Sequence, residues 1–496
     1  MGARDLKDSR RLDRFLLILL LTVLGFAVMG YHPGLEDDGI YLSAVKADLN
    51  SALFPYNAGF FRLQVQATTF DGWMAALIRA THLPVSWAEL LCQFLSLFFV
   101  LWACHRIARK LFRDTPAQWA AVAMVSAMFT LPVSGTALYL MDQHLHPRNL
   151  ATALILMAVA NVLEGRRWAA AALLVPAFLL HPIMAAMGIS FSLFLSVALL
   201  DPAPAWLFTL ERATPALVPL DWVFEPANSV WKKALDTRTY YYLYKWTWYE
   251  WLGALAPLAL FWLLWRAARK RGNHLLARFA LAVFAYGIFQ QALAMAMLAP
   301  PSLVRLTPLQ PMRYLQLVYF FMVMVGGALL GKYLLRASVW RWAVFLLVVN
   351  GSMLASQCAE FSGSQHLEWP GRAPSNPWIE AFAWIRVNTP VDAYFALDPN
   401  YLQAPGEDYH GFRALAERSQ LADAIKDAAA VTQVPELAPV WGQQVAAEQG
   451  WRRFRRADFE RLKTQFGVDW VLVALPQTEG LDCRWHNRLL AVCSIP

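Results

Sequence analysis

Along the first 360 positions, long stretches free of charge alternate with short clusters of Lys and Arg. A bilayer core about 30 Å thick takes about 20 mostly apolar residues per helix. Stretches of that kind run at 15–31, 90–104, 115–141, 149–163, 168–200, 251–265, 279–304, 314–331 and 342–359. The pattern predicts a polytopic α-helical membrane protein with about 9–11 transmembrane helices. Arg10, Arg11 and Arg14 flank the first stretch, but no small-residue cleavage site follows, so it reads as a retained signal anchor.

The stretch 168–200 is too long for one upright span and barely long enough for two. It contains Pro176 and the pair His181-Pro182, each of which breaks a helix. It is expected to cross once as two broken half-helices, or to pair a crossing with a re-entrant piece, since broken backbone at membrane depth survives only beside protein or a water-filled cavity. Two short full spans are the alternative, and would place the tail in the cytoplasm.

Composition agrees with a chain solvated by lipid. Of 496 residues, 58% are hydrophobic and 16% charged, against roughly 25% charged in soluble domains. Disorder and a secreted disulfide scaffold are excluded, and the net charge of +8 need not mean nucleic acid. The charge is uneven: residues 361–496 hold 16 acids and 13 bases, net −3, which leaves +11 for residues 1–360. The chain therefore divides into a membrane domain at 1–360 and a small soluble α/β domain at 361–496. Within the latter, 378–386 and 456–466 have helical spacing, while 388–397 reads as a turn into a strand and 467–475 as a buried strand.

Basic clusters at 4–14, 106–113, 166–167, 266–271 and 332–341 are expected on the cytoplasmic side. The N-terminus is then cytoplasmic, and the loops 32–83, 142–148, 201–250 and 299–313 face outward. The tail is periplasmic or extracellular, across a cytoplasmic (inner) membrane of bacterial type. Cys483 and Cys493 would close a hairpin by a disulfide in that oxidising compartment, or stay as two thiols in a cytoplasmic tail. Cys92, Cys104 and Cys358 read as small apolar packing residues.

Candidate chemistry lies in the charges that the inward bias does not explain. The first outward loop begins Tyr31-His-Pro-Gly-Leu-Glu-Asp-Asp-Gly, and its consecutive acids Glu36, Asp37 and Asp38 raise one another's pKa. Such a triplet reads either as a solvated turn or, tethered at the interface, as a general base or cation ligand. A long first outward loop carrying paired acids, many further spans and a soluble outer domain together resemble the GT-C superfamily of integral-membrane glycosyltransferases. That superfamily includes protein O-mannosyltransferases, aminoarabinose transferases and oligosaccharyltransferase catalytic subunits, which take a sugar from a polyprenyl-linked carrier.

The resemblance implies that Asp37 or Asp38 activates the acceptor, with Glu36 as helper. It also asks for cations against the anionic leaving group, for which the outward candidates are Arg148, Arg305, Arg313, His146 and His181. Arg305 and Arg313 read alternatively as headgroup anchors, and His181 as a helix-packing residue. No cofactor is certain; a divalent cation, if held, falls to Asp37, Asp38, His144 and His146, although the two histidines read more readily as interfacial polar residues. The aromatic run 240–251 reads as an interfacial belt or as a platform for sugar or prenyl chain. Expected partners are a polyprenyl-phosphate-linked sugar, the lipid bilayer and a glycan, lipid or protein acceptor, with no nucleic acid. A lipid or glycan transporter and a non-catalytic envelope-binding protein are the alternative classes.

Overall fold

The structure, a computed structural model, describes residues 3–200 and 227–496, with side chains from residue 12 onward. In chain order its first helices are α1 (Ala3–Met29), α2 (Asp38–Leu49), α3 (Gly59–Val65), α4 (Phe70–Thr81), α5 (Val85–Leu111) and α6 (Thr115–Ala127). A small hairpin follows, β1 (Pro132–Val133) with β2 (Leu138–Tyr139), and then α7 (Pro147–Leu163), α8 (Arg167–Leu180) and α9 (Pro182–Ala198). Past residue 227 come α10 (Ser229–Asp236), α11 (Trp248–Lys270), α12 (His274–Leu298), α13 (Leu315–Leu330) and α14 (Val339–Glu360).

Among the described residues, α1, α5, α11, α12, α13 with its flanking turns, and α14 are long and apolar enough to cross a membrane, while α7, α8 and α9 are shorter apolar helices. Leu20, Leu193, Leu263 and Leu347 lie more than half exposed on these helices. In water such surface drives aggregation, whereas lipid solvates it. The architecture is that of a polytopic helical membrane protein.

Two expected spans come out differently. Residues 115–141 are helical only to Ala127, about 20 Å at 1.5 Å per residue. Pro132 and the left-handed Gly135 (φ +63°) and Ala137 (φ 52°) then turn the chain into the β1–β2 hairpin. This non-helical backbone is sheltered by protein: Gln316 donates to the Leu140 carbonyl at 2.9 Å. The stretch 168–200 is not one broken crossing but two helices. His181, between them, stacks 5.8 Å from His146 at the start of α7, whereas the Leu199 carbonyl accepts from Arg278 near the start of α12. Thus α8 and α9 run in opposite directions alongside α7, yet the C-terminal part lies at the same end of the bundle as the loop after α1, where Tyr31 pairs with Leu367, and not at the opposite end as two full spans were expected to place it. Residues 201–226, expected within an outward loop, lie outside the described residues.

The C-terminal part carries a five-stranded sheet in the order β4-β3-β5-β7-β6, built from β3 (Tyr394–Ala396), β4 (Ser419–Gln420), β5 (Trp470–Ala474), β6 (Asp482–His486) and β7 (Leu490–Ser494). The first three strands in that order are parallel, and β7 runs antiparallel to both its neighbours. Side chains alternate across it with the strand period of two. Phe395, Leu472 and Val492 face the helix α15 (Pro377–Asn388) through Phe382 and Ile385. Ala396, Val471 and Ala491 instead meet Phe459 and Leu462. Three short helices, α16 (Phe412–Ala416), α17 (Lys426–Gln433) and α18 (Ala438–Ala447), connect the parallel strands, and Phe459 and Leu462 belong to α19 (Arg456–Phe466). Cys483 and Cys493 face each other across β6 and β7 and are disulfide-bonded. Cys92 and Cys104 are buried, while Cys358 is exposed on α14 rather than packed in a core.

Candidate functional site

The first loop is pinned to the C-terminal part by two backbone bridges, Tyr31 with Leu367 and Leu35 with His410. Between the chains, Gly39 lies against Gly411, where a Cβ on Gly39 would come 3.1 Å from the Gly411 Cα. Glu36 adopts a left-handed φ of 53°, a cost of roughly 1–3 kcal/mol for a residue with a Cβ. Its N–H donates to the Tyr409 carbonyl at 2.9 Å, so the docked chain holds the strain.

This turn leads into α2 with Asp37 as N-cap and Asp38 as the first helical residue, and the two carboxylates diverge. Asp38 is 1% exposed and accepts from the Gly34 N–H at 2.6 Å. Burial and the neighbouring Asp37 push its pKa up to about 7, against the pull of Gly34 and Lys46. Asp37 faces the other way, its Oδ1 3.0 Å from Lys426 Nζ on α17 and its Oδ2 3.7 Å from His146 Nε2. Burial raises its pKa, but Lys426 first and then His146 outweigh burial and hold the carboxyl well below the ordinary range. Glu36 also contacts Lys426.

The sequence uses His-Pro twice as a helix start. Pro147 and Pro182 occupy first helical positions that need no donor, and the preceding imidazoles cap the turn. His146 Nδ1 accepts from the Arg148 N–H at 2.9 Å and His181 Nδ1 from the Met184 N–H at 3.3 Å. With Nδ1 accepting, the His146 proton sits on Nε2, directed at Asp37. Burial lowers the His146 pKa to about 4 and that of His144 to about 3, so both are neutral at pH 7. Arg148 is paired with Asp142, its Nη2 2.7 Å from Oδ1 and its Nε 3.1 Å from Oδ2.

These groups border a cavity of about 790 Å³ between the bundle and the C-terminal part. Glu36, Asp37, Arg148, Arg238, Arg313 and Lys426 all line it. Arg148 is neutralised by Asp142, and Lys426 by Glu36 and Asp37. Arg238 and Arg313 have no ion-pair partner among the described residues, and the buried Nε of each lacks a hydrogen-bond acceptor. Their charge is thus available to an anion in the cavity.

The sequence candidates separate accordingly. Asp37, Glu36, Arg148 and Arg313 share the cavity, with His144 also on its wall and both its ring nitrogens unpartnered. His146 stands behind Asp37, and His181 behind His146. Asp38 is turned inward, and Arg305 stacks 5.6 Å over Trp231 instead of lining the cavity. The ligand atoms of Asp37, Asp38, His144 and His146 do not gather as a metal cluster; among the described residues, those of His32, Glu368 and His410 do. The aromatic run divides: Tyr240 and Tyr249 line the cavity, while Tyr244 and Trp248 are 76% exposed.

Sequence reasoning missed Arg238 and Lys426. Arg238 carries the same signal as Arg313, an arginine outside the inward clusters. Lys426 carries none, because its acidic partners come from the far end of the chain. No family model matches this chain, and no curated protein matches it.

Proposed function

We propose that the protein is a GT-C-like membrane glycosyltransferase that moves a sugar from a polyprenyl-linked donor to an acceptor at the outer face of the cytoplasmic membrane. The observation that carries this reading is one cavity holding an ionised carboxylate, Asp37, together with two arginines, Arg238 and Arg313, that have no ion-pair partner among the described residues.

The donor phosphate occupies the cationic wall, where Arg238 and Arg313 form charge-assisted contacts that strengthen as the leaving group gains charge. The acceptor hydroxyl oxygen attacks the anomeric carbon. The bond from that carbon to the phosphate oxygen breaks, its electron pair leaves with the polyprenyl phosphate, and the hydroxyl proton passes to Asp37. Paired with Lys426, Asp37 is a weak base at rest. An incoming phosphate corrects this in two ways: it competes for Lys426, and its own negative charge raises the carboxylate's proton affinity. His146 Nε2 stands 3.7 Å from the carboxylate's second oxygen.

The test is transfer of labelled sugar from a polyprenyl-phosphate donor with release of free polyprenyl phosphate, which separates an enzyme from a transporter or a binding protein. Asp37→Asn should abolish turnover while leaving insertion intact. Full activity in that variant would remove Asp37 as the base.

A further inference from the structure

Away from the cavity, three side chains from three distant segments meet at one point. His32 follows α1, Glu368 follows α14, and His410 precedes α16. The backbone brings them together: the Glu368 N–H donates to the Tyr31 carbonyl at 3.0 Å, the His32 N–H to the Gln143 carbonyl at 3.0 Å, and Leu35 pairs with His410. His32 Nδ1 lies 2.9 Å and His410 Nε2 3.1 Å from the same oxygen, Glu368 Oε1, and the three ligand atoms all fall within 4.8 Å of one another. The two imidazoles are fully buried and the Glu368 side chain is 15% exposed.

We propose that His32, Glu368 and His410 form a binding site for a divalent transition-metal ion of the zinc type. Two imidazoles and one carboxylate are a standard zinc donor set with a fourth position open, and ligands at 2.0–2.1 Å in a tetrahedron sit about 3.3 Å apart. The two imidazole-to-carboxylate separations reach that spacing with shifts of a few tenths of an ångström, and the two imidazole nitrogens lie within 4.8 Å of each other.

A purely hydrogen-bonded reading leaves more unexplained. One carboxylate oxygen would receive both imidazole N–H groups, and among the described residues His410 Nδ1, like His32 Nε2, is left buried without a partner. With a metal on Nε2, the proton moves to Nδ1, and that nitrogen faces Glu407 Oε1 at 3.8 Å, buried on both sides. A carboxylate behind a metal-bound imidazole is the usual orienting partner. Glu368, 15% exposed, also borders a separate cavity of about 170 Å³ lined by Pro33, Trp369 and Arg372, so the carboxylate side of the cluster is the side nearest solvent. The ion would fasten the loop after α1 to the C-terminal part, three residues from the bridge that sets Glu36 and Asp37 opposite Lys426.

The full-length protein, purified in detergent without a histidine tag, is stripped with a chelator and reloaded with Zn²⁺. Metal analysis should return one zinc per chain, and Co²⁺ in its place should give the visible d–d bands of a four-coordinate site. Glu368→Gln keeps an oxygen that accepts from the imidazoles but is a poor ligand, so it should lose the zinc and the zinc-dependent rise in melting temperature. Glu407→Gln should weaken zinc binding roughly 10–100-fold. If the wild-type chain binds no stoichiometric zinc, or if Glu368→Gln binds it equally, the cluster is a hydrogen-bonded clamp and the proposal falls. Should a variant not fold, chelation and reloading of the wild type decides alone.

Discussion

Lys426 Nζ lies 3.0 Å from Asp37 Oδ1 although 389 positions separate the two residues. The pairing makes the C-terminal part a wall of the cavity and sets the charge state of the proposed base. Removing it has a readable sign. In Lys426→Met, burial acts on Asp37 without its main opposing charge, so the carboxyl pKa rises. The acid limb of the pH–rate profile for sugar transfer should move to higher pH. A superimposable profile would show that Lys426 does not control the base.

Arg238 and Arg313, without an ion-pair partner among the described residues, give a comparison built into the molecule. A charge-assisted hydrogen bond is worth about 1.5–3 kcal/mol. Arg238→Gln and Arg313→Gln should each therefore raise the donor KM roughly tenfold or more. Arg305→Gln should stay within about twofold of wild type, because Arg305 stacks on Trp231 away from the cavity. Equal losses at all three positions would mean that the arginines act through folding or membrane anchoring.

What the sequence shows depends on whether the determining partner is near in the chain. The helix at 456–466 is legible because its apolar positions repeat at helical spacing and Gly467 ends it with a left-handed φ of +77°. Hydropathy alone misplaces residues 115–141, since an apolar hairpin and an apolar helix have the same composition. Asp37 and Asp38 cannot be told apart in sequence, yet adjacent helical positions point about 100° apart, and one turns to the cavity while the other turns to Gly34. Lys426 looks like any surface lysine until the loop bearing Glu36 and Asp37 docks on it.

Arg148 tests whether a cavity residue is also structural. Its guanidinium and the Asp142 carboxylate are both nearly buried and form a two-pronged pair. Breaking such a pair from one side strands a buried charge, at about 3–5 kcal/mol. Arg148→Met should lower the melting temperature of the purified protein sharply, and adding Asp142→Asn should recover part of that loss, because the stranded charge is gone. If the double variant melts no higher than the single one, the destabilisation comes from lost packing.

Asp38 gives the clearest pH signature, and its sign is opposite to that of a salt-bridged acid. Burial, aided by Asp37, raises the folded-state pKa to about 7, above that of an unfolded aspartic acid. The stability tied to the protonated carboxyl is complete below the ordinary carboxylate range and is lost as the pH rises toward about 7. An amide cannot ionise but still presents an oxygen to the Gly34 N–H. Asp38→Asn should therefore match wild type near pH 4 and exceed its stability above pH 7, by roughly 1–3 kcal/mol. Thermal unfolding measured from pH 4 to pH 8 would show the two curves separating as the pH rises from the ordinary carboxylate range to about 7 and running parallel above it. Curves parallel from pH 4 to pH 8 would mean that Asp38 is already ionised in the folded protein and that Lys46 compensates it.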